Sequence, residues 1–522
     1  MMWLTNNVLV SLLLTAVGVI LWKAVKLLWL RPKWIEKCLR QQGVKGNPYK
    51  PFLGDVRELI ALTKSLLLTP INFSDDPLPR VAPYIYHMIQ KYVDAGTSCF
   101  VWIGPIPWLI TTEPEKIKEV LTRYQDFHKP DHPITQILMV GLYGQEGDLW
   151  AKHRKIINPA FHLDKLKKMV DTMYESCSIM TSSWDKIIAA HGGGPTEVDV
   201  WPFLETLAGD IISRAAFGSS YGDGKIIFDL QTEYVNLIMK NPQPSNYIPG
   251  WRFLPTKKNR RSRAISREVE GVLTRMIDSR KMEMEAGETT KEDLLGLLLE
   301  SNKDHDGNEK GTSLTTKEVV EECKLFYLAG SETTLGLFAW TLVMLSKHLL
   351  WQHRARTEVF HVFGKHGTPN FDGLARLKTI TMIIHEVLRL HSPAYMLMRK
   401  VHKDTKLGEL LIPGGTEVLM PLCITHQDPS LWGEDAKEFN PERFAEGVSK
   451  ATKGQAIYFP FSTGPRVCVG QNFSLLEAKL VLATLLQRFS FEVGSNYVHA
   501  PWAMLTMKPQ HGVNLLLRKL PS

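Results

Sequence analysis

One cysteine near the carboxyl end of the chain stands among residues that could present its sulfur to a metal. Phe461 offers an aromatic face, Gly464 permits a tight turn, and Arg466 places a cation two residues before Cys468. Gly470, two residues after the cysteine, leaves room for a close neighbour. These residue types and spacings predict a loop in which Cys468 ligates a metal ion.

The residues that follow this loop predict a helix that would favour the ionised sulfur. Apolar residues recur with a helical period over residues 471–480. Cys468 would then lie at a helix N-terminus, where free backbone N–H groups and the positive end of the dipole stabilise a thiolate. The alternative is a buried and inert cysteine, which is the commoner fate of a lone free cysteine.

A second group of residues lies in the middle of a long predicted helix. Thr315 and Glu318 have the spacing of a capping box, and apolar periodicity then continues for roughly 30 residues. Residues 329–334 read Ala-Gly-Ser-Glu-Thr-Thr, and glycine and threonine are poor residues for a helix interior. The Thr333 hydroxyl can bond the carbonyl of Ala329, which would bend this turn and open a groove. A small-residue contact between packed helices is the alternative.

Other residues have spacings that suit ion pairs or the binding of a carboxylate. Glu386 and Arg389 lie three positions apart on a predicted helix face, and Arg443 supplies a second arginine further on. Trp150 and Arg154, one helical turn apart, bring an indole donor and a guanidinium that could grip a carboxylate. Each pattern is common by itself. Most pairs of glutamate and arginine at this spacing are weak surface contacts.

Taken in order along the chain, these four patterns resemble the cytochrome P-450 heme-thiolate monooxygenases. Residues 40–48, 321–326 and 401–408 resemble plant clan 72 of that family, which includes secologanin synthase and triterpenoid oxidases. Thr463 departs from the pattern, since relatives often carry tryptophan there, but the ligand and its flanking glycines are intact. The resemblance implies a mainly α fold with small β-sheets.

The resemblance also implies a role for each motif. Cys468 would be the axial ligand of the iron of heme b, and Trp150, Arg154, Arg466 and Arg399 would bind the heme propionates. Thr333 and Glu332 would hydrogen-bond dioxygen and supply protons, whereas Glu386, Arg389 and Arg443 would form a buried structural charge network. The implied heme-binding residues are Cys468, Phe461, Arg466, Trp150, Arg154, Arg399 and Gly470.

The implied reaction is reductive activation of dioxygen with electrons from NADPH. A membrane NADPH–cytochrome P-450 reductase would deliver the electrons, with cytochrome b5 as an additional candidate partner. Family position predicts that residues 131–147 and 394–398 line a pocket whose side chains are mostly apolar. We expect a lipophilic terpenoid, either a triterpenoid or an iridoid, as substrate, with gibberellin or other hormone hydroxylation and fatty-acid hydroxylation left open.

Composition limits the other classes of protein. The 522 residues are 44% hydrophobic and 22% charged, an ordinary globular mixture. Six cysteines are spread without any C-x-x-C pair, which argues against a disulfide framework, a zinc site and covalently attached heme. The net charge of +8 is modest, and the basic run at residues 257–263 is interpreted as a solvated helix start rather than a nucleic-acid site.

The first residues predict a membrane anchor. Residues 4–22 carry no charge, which is long enough for one span, and Lys23, Lys26 and Arg31 follow it. By the positive-inside rule, the body would lie in the cytosol. The resemblance implies the endoplasmic reticulum membrane and contact with its lipid. We expect three parts: an anchor and its flank at 1–30, a proline- and glycine-containing linker at 31–54, and one catalytic domain at 55–522.

A serine hydrolase is the remote alternative from another enzyme class. Residues 218–222 fit G-x-S-x-G, and the run beginning at His191 resembles an esterase oxyanion loop. A nucleophile elbow needs a strand before the serine, whereas residues 207–217 predict a helix. A heme electron carrier would not need the groove at Glu332 and Thr333, and related heme-thiolate isomerases often lack that pair.

Two β-hairpins are predicted among the helices. The first joins residues 99–103 to residues 108–111 through a turn rich in glycine and proline. The second would join residues 410–412 to residues 416–420 through Pro413, Gly414 and Gly415.

Overall fold

The fold is mainly helical, as predicted, with small β-sheets at the edges of a helical core. The computed structural model describes residues 2–92, 98–219, 221–240, 250–287, 293–303 and 313–521. The α-helices are α1 Met2–Val25, α2 Arg31–Gln41, α3 Val56–Leu67, α4 Leu78–Val81, α5 Pro83–Tyr92, α6 Pro114–Thr122, α7 Pro133–Ile137, α8 Gly147–Ile157, α9 Leu163–Ala190, α10 Trp201–Phe217, α11 Tyr221–Val235, α12 Lys257–Ala286, α13 Leu294–Lys303, α14 Thr316–Lys347, α15 Leu349–Phe363, α16 Phe371–Arg376, α17 Lys378–Leu390, α18 Leu422–Thr425, α19 Pro429–Trp432, α20 Val448–Ala451 and α21 Gln471–Arg488. Single 3₁₀ or π turns lie at Lys26–Leu30, Asn158–Phe161, Asn236–Lys240, Trp251–Phe253, Pro441–Phe444 and Gly464–Arg466.

The strands form one larger sheet and three small ones within the described residues. The strands are β1 Lys45–Gly46, β2 Cys99–Ile103, β3 Ile106–Ile110, β4 Phe127–His128, β5 Thr196–Asp199, β6 Leu397–Val401, β7 Thr405–Leu407, β8 Leu410–Ile412, β9 Glu417–Met420, β10 Phe489–Val493, β11 Pro501–Ala503, β12 Met507–Pro509 and β13 Asn514–Lys519. The six-stranded sheet has the order β1-β2-β3-β9-β6-β4, and a three-stranded sheet has the order β10-β13-β5. Two hairpins, β11-β12 and β7-β8, complete the set.

One of the two predicted hairpins is confirmed and the other is wrong. Strands β2 and β3 pair antiparallel, with Cys99 opposite Ile110. Strand β8 pairs with the preceding β7 instead of the following β9, because β9 lies between β3 and β6 in the large sheet. The turn residues at 413–415 therefore connect two sheets, an arrangement decided by distant strands.

Helix α14 is the central element, and its predicted start is confirmed. The Thr315 side chain accepts from the Glu318 N–H, and the Glu318 side chain accepts from the Thr315 N–H, which completes the capping box. Most of its 32 residues are buried, because helices and β12 cover it along most of its length. Buried on nearly all sides, α14 can hold a reactive turn deep inside the protein.

The amino-terminal residues form an apolar helix outside the core. Residues Leu9–Gln41 form a continuous run that is long and apolar enough to cross a membrane, and its most apolar window is 0% buried. Helix α14 passes the same test of length and composition, but 72% of its window is buried in the core. The apolar run is thus consistent with the anchor expected from the sequence.

The segment expected to be a linker begins as a helix. Helix α2 is the last part of this run. Pro32 occupies its first turn, where a missing N–H costs nothing. Arg31 donates to the carbonyl of Gly414 at 2.8 Å, and the Tyr49 hydroxyl donates to that of Leu28 at 2.6 Å. These contacts hold the end of the run against the body, while the division at residues 30 and 54 stays a prediction.

Candidate active site

The cysteine loop is held by backbone contacts that require a glycine. The Cys468 N–H donates to the carbonyl of Phe461 at 2.9 Å, which closes the loop around the 3₁₀ turn. Gly464 has a φ of +72°, and a Cβ there would lie 2.9 Å from the carbonyl oxygen of Leu121 and 3.1 Å from the Cα of Thr122. The loop therefore seats on the end of α6 only with glycine at this position.

The sulfur of Cys468 faces the interior of the protein from the start of α21. Burial raises the pKa of this thiol, while the Gly470 N–H and the cations Arg154 and Lys129 lower it. The predicted stabilisation by the helix N-terminus is present, but burial outweighs it. A metal ion bound here would deprotonate the thiol outright.

Because Gly470 has no side chain, the space between it and the Cys468 sulfur stays open. A Cβ at Gly470 would lie 4.0 Å from both Cys468 Sγ and Phe161 Cε1. The Cys468 side chain is itself exposed, although its loop is enclosed by the fold. The sulfur therefore lines an internal space, as a ligand to the iron of a flat cofactor would.

Two buried arginines, Arg399 and Arg466, lie close enough to repel each other. Arg399 on β6 is 1% exposed and donates to the carbonyl of Met398 at 2.8 Å. Arg466 donates to the carbonyl of Gln145 at 2.8 Å and pairs with the Glu146 carboxylate. Among the residues that the structure describes, Nε of Arg399 and Nε of Arg466 have no hydrogen-bond partner. Buried guanidinium groups with unused donors suit an anionic ligand.

The electrostatics of these cations support the same conclusion. Burial, reinforced by repulsion from Arg399 and Arg466, lowers the pKa of Lys129 well below its usual range. Burial also lowers the pKa of Arg399 to about 10. The carboxylates of a heme would offset this repulsion, so the residues present fit the group. Lys129 was missed from the sequence, where a lysine before Pro130 carries little signal.

Trp150 and Arg154 lie on α8, beside the cysteine loop. Arg154 Nη1 donates to the carbonyl of Val467 at 2.8 Å, directly before the ligand. The guanidinium of Arg466 lies 4.8 Å from the centre of the Trp150 ring. The structure thus brings the two residues of this motif to the cysteine loop, as the resemblance implies.

The turn predicted to accept oxygen is the least covered part of α14. Residues 329–333 are half-buried, whereas the residues on either side are buried. The Thr333 hydroxyl donates to the carbonyl of Ala329 at 2.8 Å, as predicted, but α14 continues unbroken through this turn. A Cβ at Gly330 would lie 2.6 Å from Ile212, so the glycine also serves the packing contact that was the alternative.

Glu332 is bound to the hairpin β11-β12. Its Oε1 accepts from the Thr506 hydroxyl at 3.0 Å and from Lys508 Nζ at 3.1 Å. Sequence reasoning missed both partners, because they lie more than a hundred residues away and belong to no motif. The half-buried carboxylate of Glu332 thus ties this turn of α14 to the half-buried cation Lys508.

A buried acid beside this turn was also missed. Glu477 on α21 is 1% exposed, and neither carboxyl oxygen has a hydrogen-bond partner within the described ranges. Burial raises its pKa well above the usual range, and the nearby Thr334 hydroxyl lowers it slightly. That hydroxyl donates instead to the carbonyl of Gly330 at 2.8 Å. Burial therefore favours the neutral form of the Glu477 carboxyl group.

The structure brings the predicted charge network together. Arg389 Nε and Nη2 each lie 2.7 Å from a different oxygen of Glu386, and both residues are 0% exposed. Arg443 Nε lies 3.8 Å from Glu386, but Arg443 pairs more closely with Asp435, at 2.7 Å. The bidentate pair is the centre of the network, and Arg443 stands at its edge.

The segments predicted to line the pocket divide by burial. Ile134, Leu138 and Leu142 are buried, at helical spacing, and so pack into the core. Residues 139–140 and 394–398 are half-buried, as pocket walls would be. Which of these side chains line the pocket stays a prediction.

The hydrolase alternative is excluded by the element that precedes its serine. Helix α10 leads to residue 218, whereas a nucleophile elbow requires a buried strand there. Ser220 itself lies outside the described residues.

Comparison with known proteins agrees with this site. The cytochrome P-450 family model matches residues 83–512. Cytochrome P-450 72A397 of Kalopanax septemlobus is 51% identical over 96% of this chain and 95% of its own length, and 72A68 of Medicago truncatula is 48% identical over 99% of both. A 7-deoxyloganic acid hydroxylase of Catharanthus roseus is 49% identical over 94% of this chain and 95% of its own length. A match over most of the chain, with relatives of the 72A type, shows that this protein belongs to the cytochrome P-450 family.

Proposed function

We propose that this chain hydroxylates a lipophilic plant terpenoid, either an iridoid or a triterpenoid. As a member of its family it is a heme b monooxygenase that receives NADPH electrons through a reductase. The observation that carries the substrate proposal is the 49% identity to a hydroxylase named for 7-deoxyloganic acid, an iridoid. Identity over nearly the whole chain covers the pocket segments as well as the heme loop.

The chemistry of the pocket walls supports an apolar substrate. Tyr395, Met396 and Met398 are half-buried next to the buried cation Arg399. Methionine adapts its shape to irregular apolar surfaces, so these walls suit a polycyclic hydrocarbon skeleton. The Tyr395 hydroxyl donates to the carbonyl of Met504 at 3.3 Å, which fixes its ring at the edge of this wall.

Each motif has a part in the proposed reaction. Bound heme b supplies the activation of dioxygen. Cys468 is the residue we assign as iron ligand, and Arg399, Arg466, Arg154 and Trp150 as the groups that bind the propionates.

Two residues of α14 are assigned to proton transfer. The Thr333 hydroxyl, which donates to Ala329, is one rotation from donating into the space beside it. We assign Glu332 as the acid that passes protons to this turn, with Lys508 and Thr506 positioning its carboxylate.

The location follows from the apolar helix. We assign residues 4–22 as the span of a single-pass anchor in the endoplasmic reticulum membrane, with the body in the cytosol. Contact with membrane lipid, and cytochrome b5 as a second electron donor, belong to the same proposal.

A substrate screen tests the proposal. Microsomes that contain this chain and a reductase are incubated with iridoids, triterpenoids, gibberellins and fatty acids, and hydroxylated products are detected by mass spectrometry. We expect NADPH-dependent products from iridoids or triterpenoids. Turnover of fatty acids or gibberellins alone would overturn the substrate assignment.

A second experiment tests the ligand. Cys468→His should abolish the red-shifted carbonyl band of the reduced protein, because nitrogen replaces sulfur on the iron. The buried Cys423→Ala is the control and should retain the band. A retained band in the histidine variant would refute the assignment of Cys468.

A further inference from the structure

A buried histidine joins α8 to α14 between the two halves of the Trp150–Arg154 motif. His153 is 0% exposed, and its Nδ1 lies 2.5 Å from Glu322 Oε1. Its Nε2 lies 3.3 Å from Glu318 Oε1. Both ring nitrogens thus meet carboxylates that are one turn apart on α14.

A lysine adds to this cluster. Lys152 Nζ lies 3.4 Å from Glu318 Oε1. Burial raises the pKa of Glu318, but hydrogen bonds from Thr315 and His153 outweigh it and lower the pKa to about 2. The cluster therefore holds α8 against α14 through polar contacts.

The other oxygen of Glu322 touches the segment predicted to line the pocket. Glu322 is 0% exposed, and its Oε2 has no hydrogen-bond partner among the described residues. A Cβ at Gly141 would lie 2.7 Å from this oxygen and 2.8 Å from Cδ. The backbone at Gly141 therefore rests directly on the carboxylate that His153 binds.

We propose that His153 and Glu322 are a positioning pair that couples the pocket segment at Gly141 to the heme-binding helix α8. The inference depends on the proposed role of Trp150 and Arg154 in binding the heme carboxylates. It assigns no contact with substrate or heme to the pair itself.

The physical basis is a short chain of rigid contacts. Movement of the segment at Gly141 must displace the Glu322 carboxylate, since no space separates them. Glu322 is bonded to His153, and the residues on both sides of His153 contact the cysteine loop through Arg466 and Val467. Packed interiors transmit such displacements because they have little free volume.

The test uses two substitutions with matched controls. Glu322→Gln keeps the size of the side chain but removes its charge, and Gly141→Ala pushes a methyl group against it. Ser176→Ala removes a buried contact to Asp210, 2.7 Å long, between two other helices. Gly194→Ala adds a methyl group where nothing lies within 4 Å.

The readouts need no knowledge of the substrate. Resonance Raman bands of the heme propionates report their hydrogen bonds, and titration with imidazole reports the iron site. We expect both test variants to shift the propionate bands and to change the imidazole dissociation constant by about two- to thirtyfold. Because the two residues touch, the effects in the double variant should not add, whereas both controls should match the wild type.

Two further measurements distinguish failure of this inference from misfolding and from failure of the proposed heme ligation. His153→Leu with Glu322→Leu replaces the ion pair by apolar groups, which often preserves stability. We expect that variant to bind heme and to show the same shift of the propionate bands, relative to the wild type, as the two test variants. Native bands in it, or additive effects of the test pair, would overturn the inference. A wild-type protein without the red-shifted carbonyl band would instead overturn the proposed heme ligation.

Discussion

The conformation of the cysteine loop should depend on Gly464, and a second glycine provides the control that identifies the cause. Gly464 and Gly454 have nearly the same backbone angle, with φ of +72° and +73°. A Cβ at Gly454 would have nothing within 4 Å, whereas one at Gly464 would lie 2.9 Å from a backbone oxygen of α6. Alanine therefore has the same conformational cost at either position. Only the substitution at Gly464 adds a steric cost.

The magnitudes follow from these two terms. A non-glycine residue in the left-handed region costs about 1–2 kcal/mol at either position. At Gly464 the methyl group meets the backbone of Leu121 and Thr122, which cannot rotate away, and overpacking of this kind costs about 1–3 kcal/mol more. That difference lowers the population of the seated loop about 5- to 150-fold relative to Gly454→Ala.

Heme retention and chemical denaturation measure the effect. Purified Gly464→Ala should carry less heme per chain, lose heme faster to a scavenging globin and show a weaker red-shifted carbonyl band. Gly454→Ala should unfold slightly earlier in urea but retain its heme. Equal heme loss in both variants would refute the steric reasoning, because it would leave only the shared backbone angle.

Three further substitutions test other parts of the site. Thr333→Ala should uncouple NADPH consumption from product and release peroxide, whereas Thr341→Ala, which removes a similar 2.6 Å back-bond in α14, should not; equal coupling would count against the proton route. Glu386→Gln should cost about 3–5 kcal/mol in denaturant unfolding, because it breaks a buried bidentate pair. The exposed Glu442→Gln should cost less than about 1 kcal/mol, and a similar cost for both would refute the buried network. Burial raises the pKa of Glu477, so its stabilising contribution is complete below the usual carboxyl pKa and is lost as pH rises towards the raised one. Glu477→Gln should remove that loss, up to about 1.4 kcal/mol per pH unit, and an unchanged pH dependence of unfolding would contradict the assignment.

The sequence by itself determined the elements whose cause is local. The capping box at Thr315 and Glu318 begins α14 because both partners lie within one turn. The back-bond from Thr333 to Ala329 follows from their spacing in a helix. The bidentate pair of Glu386 and Arg389 forms for the same reason, although its complete burial had to come from the fold.

Tertiary structure alone decided the contacts between residues far apart in the chain. It set Lys129 near Arg399, joined Lys508 to Glu332, and placed β9 between β3 and β6. It also gave Gly330 its packing contact with Ile212, which the motif offered only as an alternative. Local propensity and periodicity describe only neighbours along the chain. Charge pairs and strand pairs across hundreds of residues arise when the core closes, so no short pattern records them.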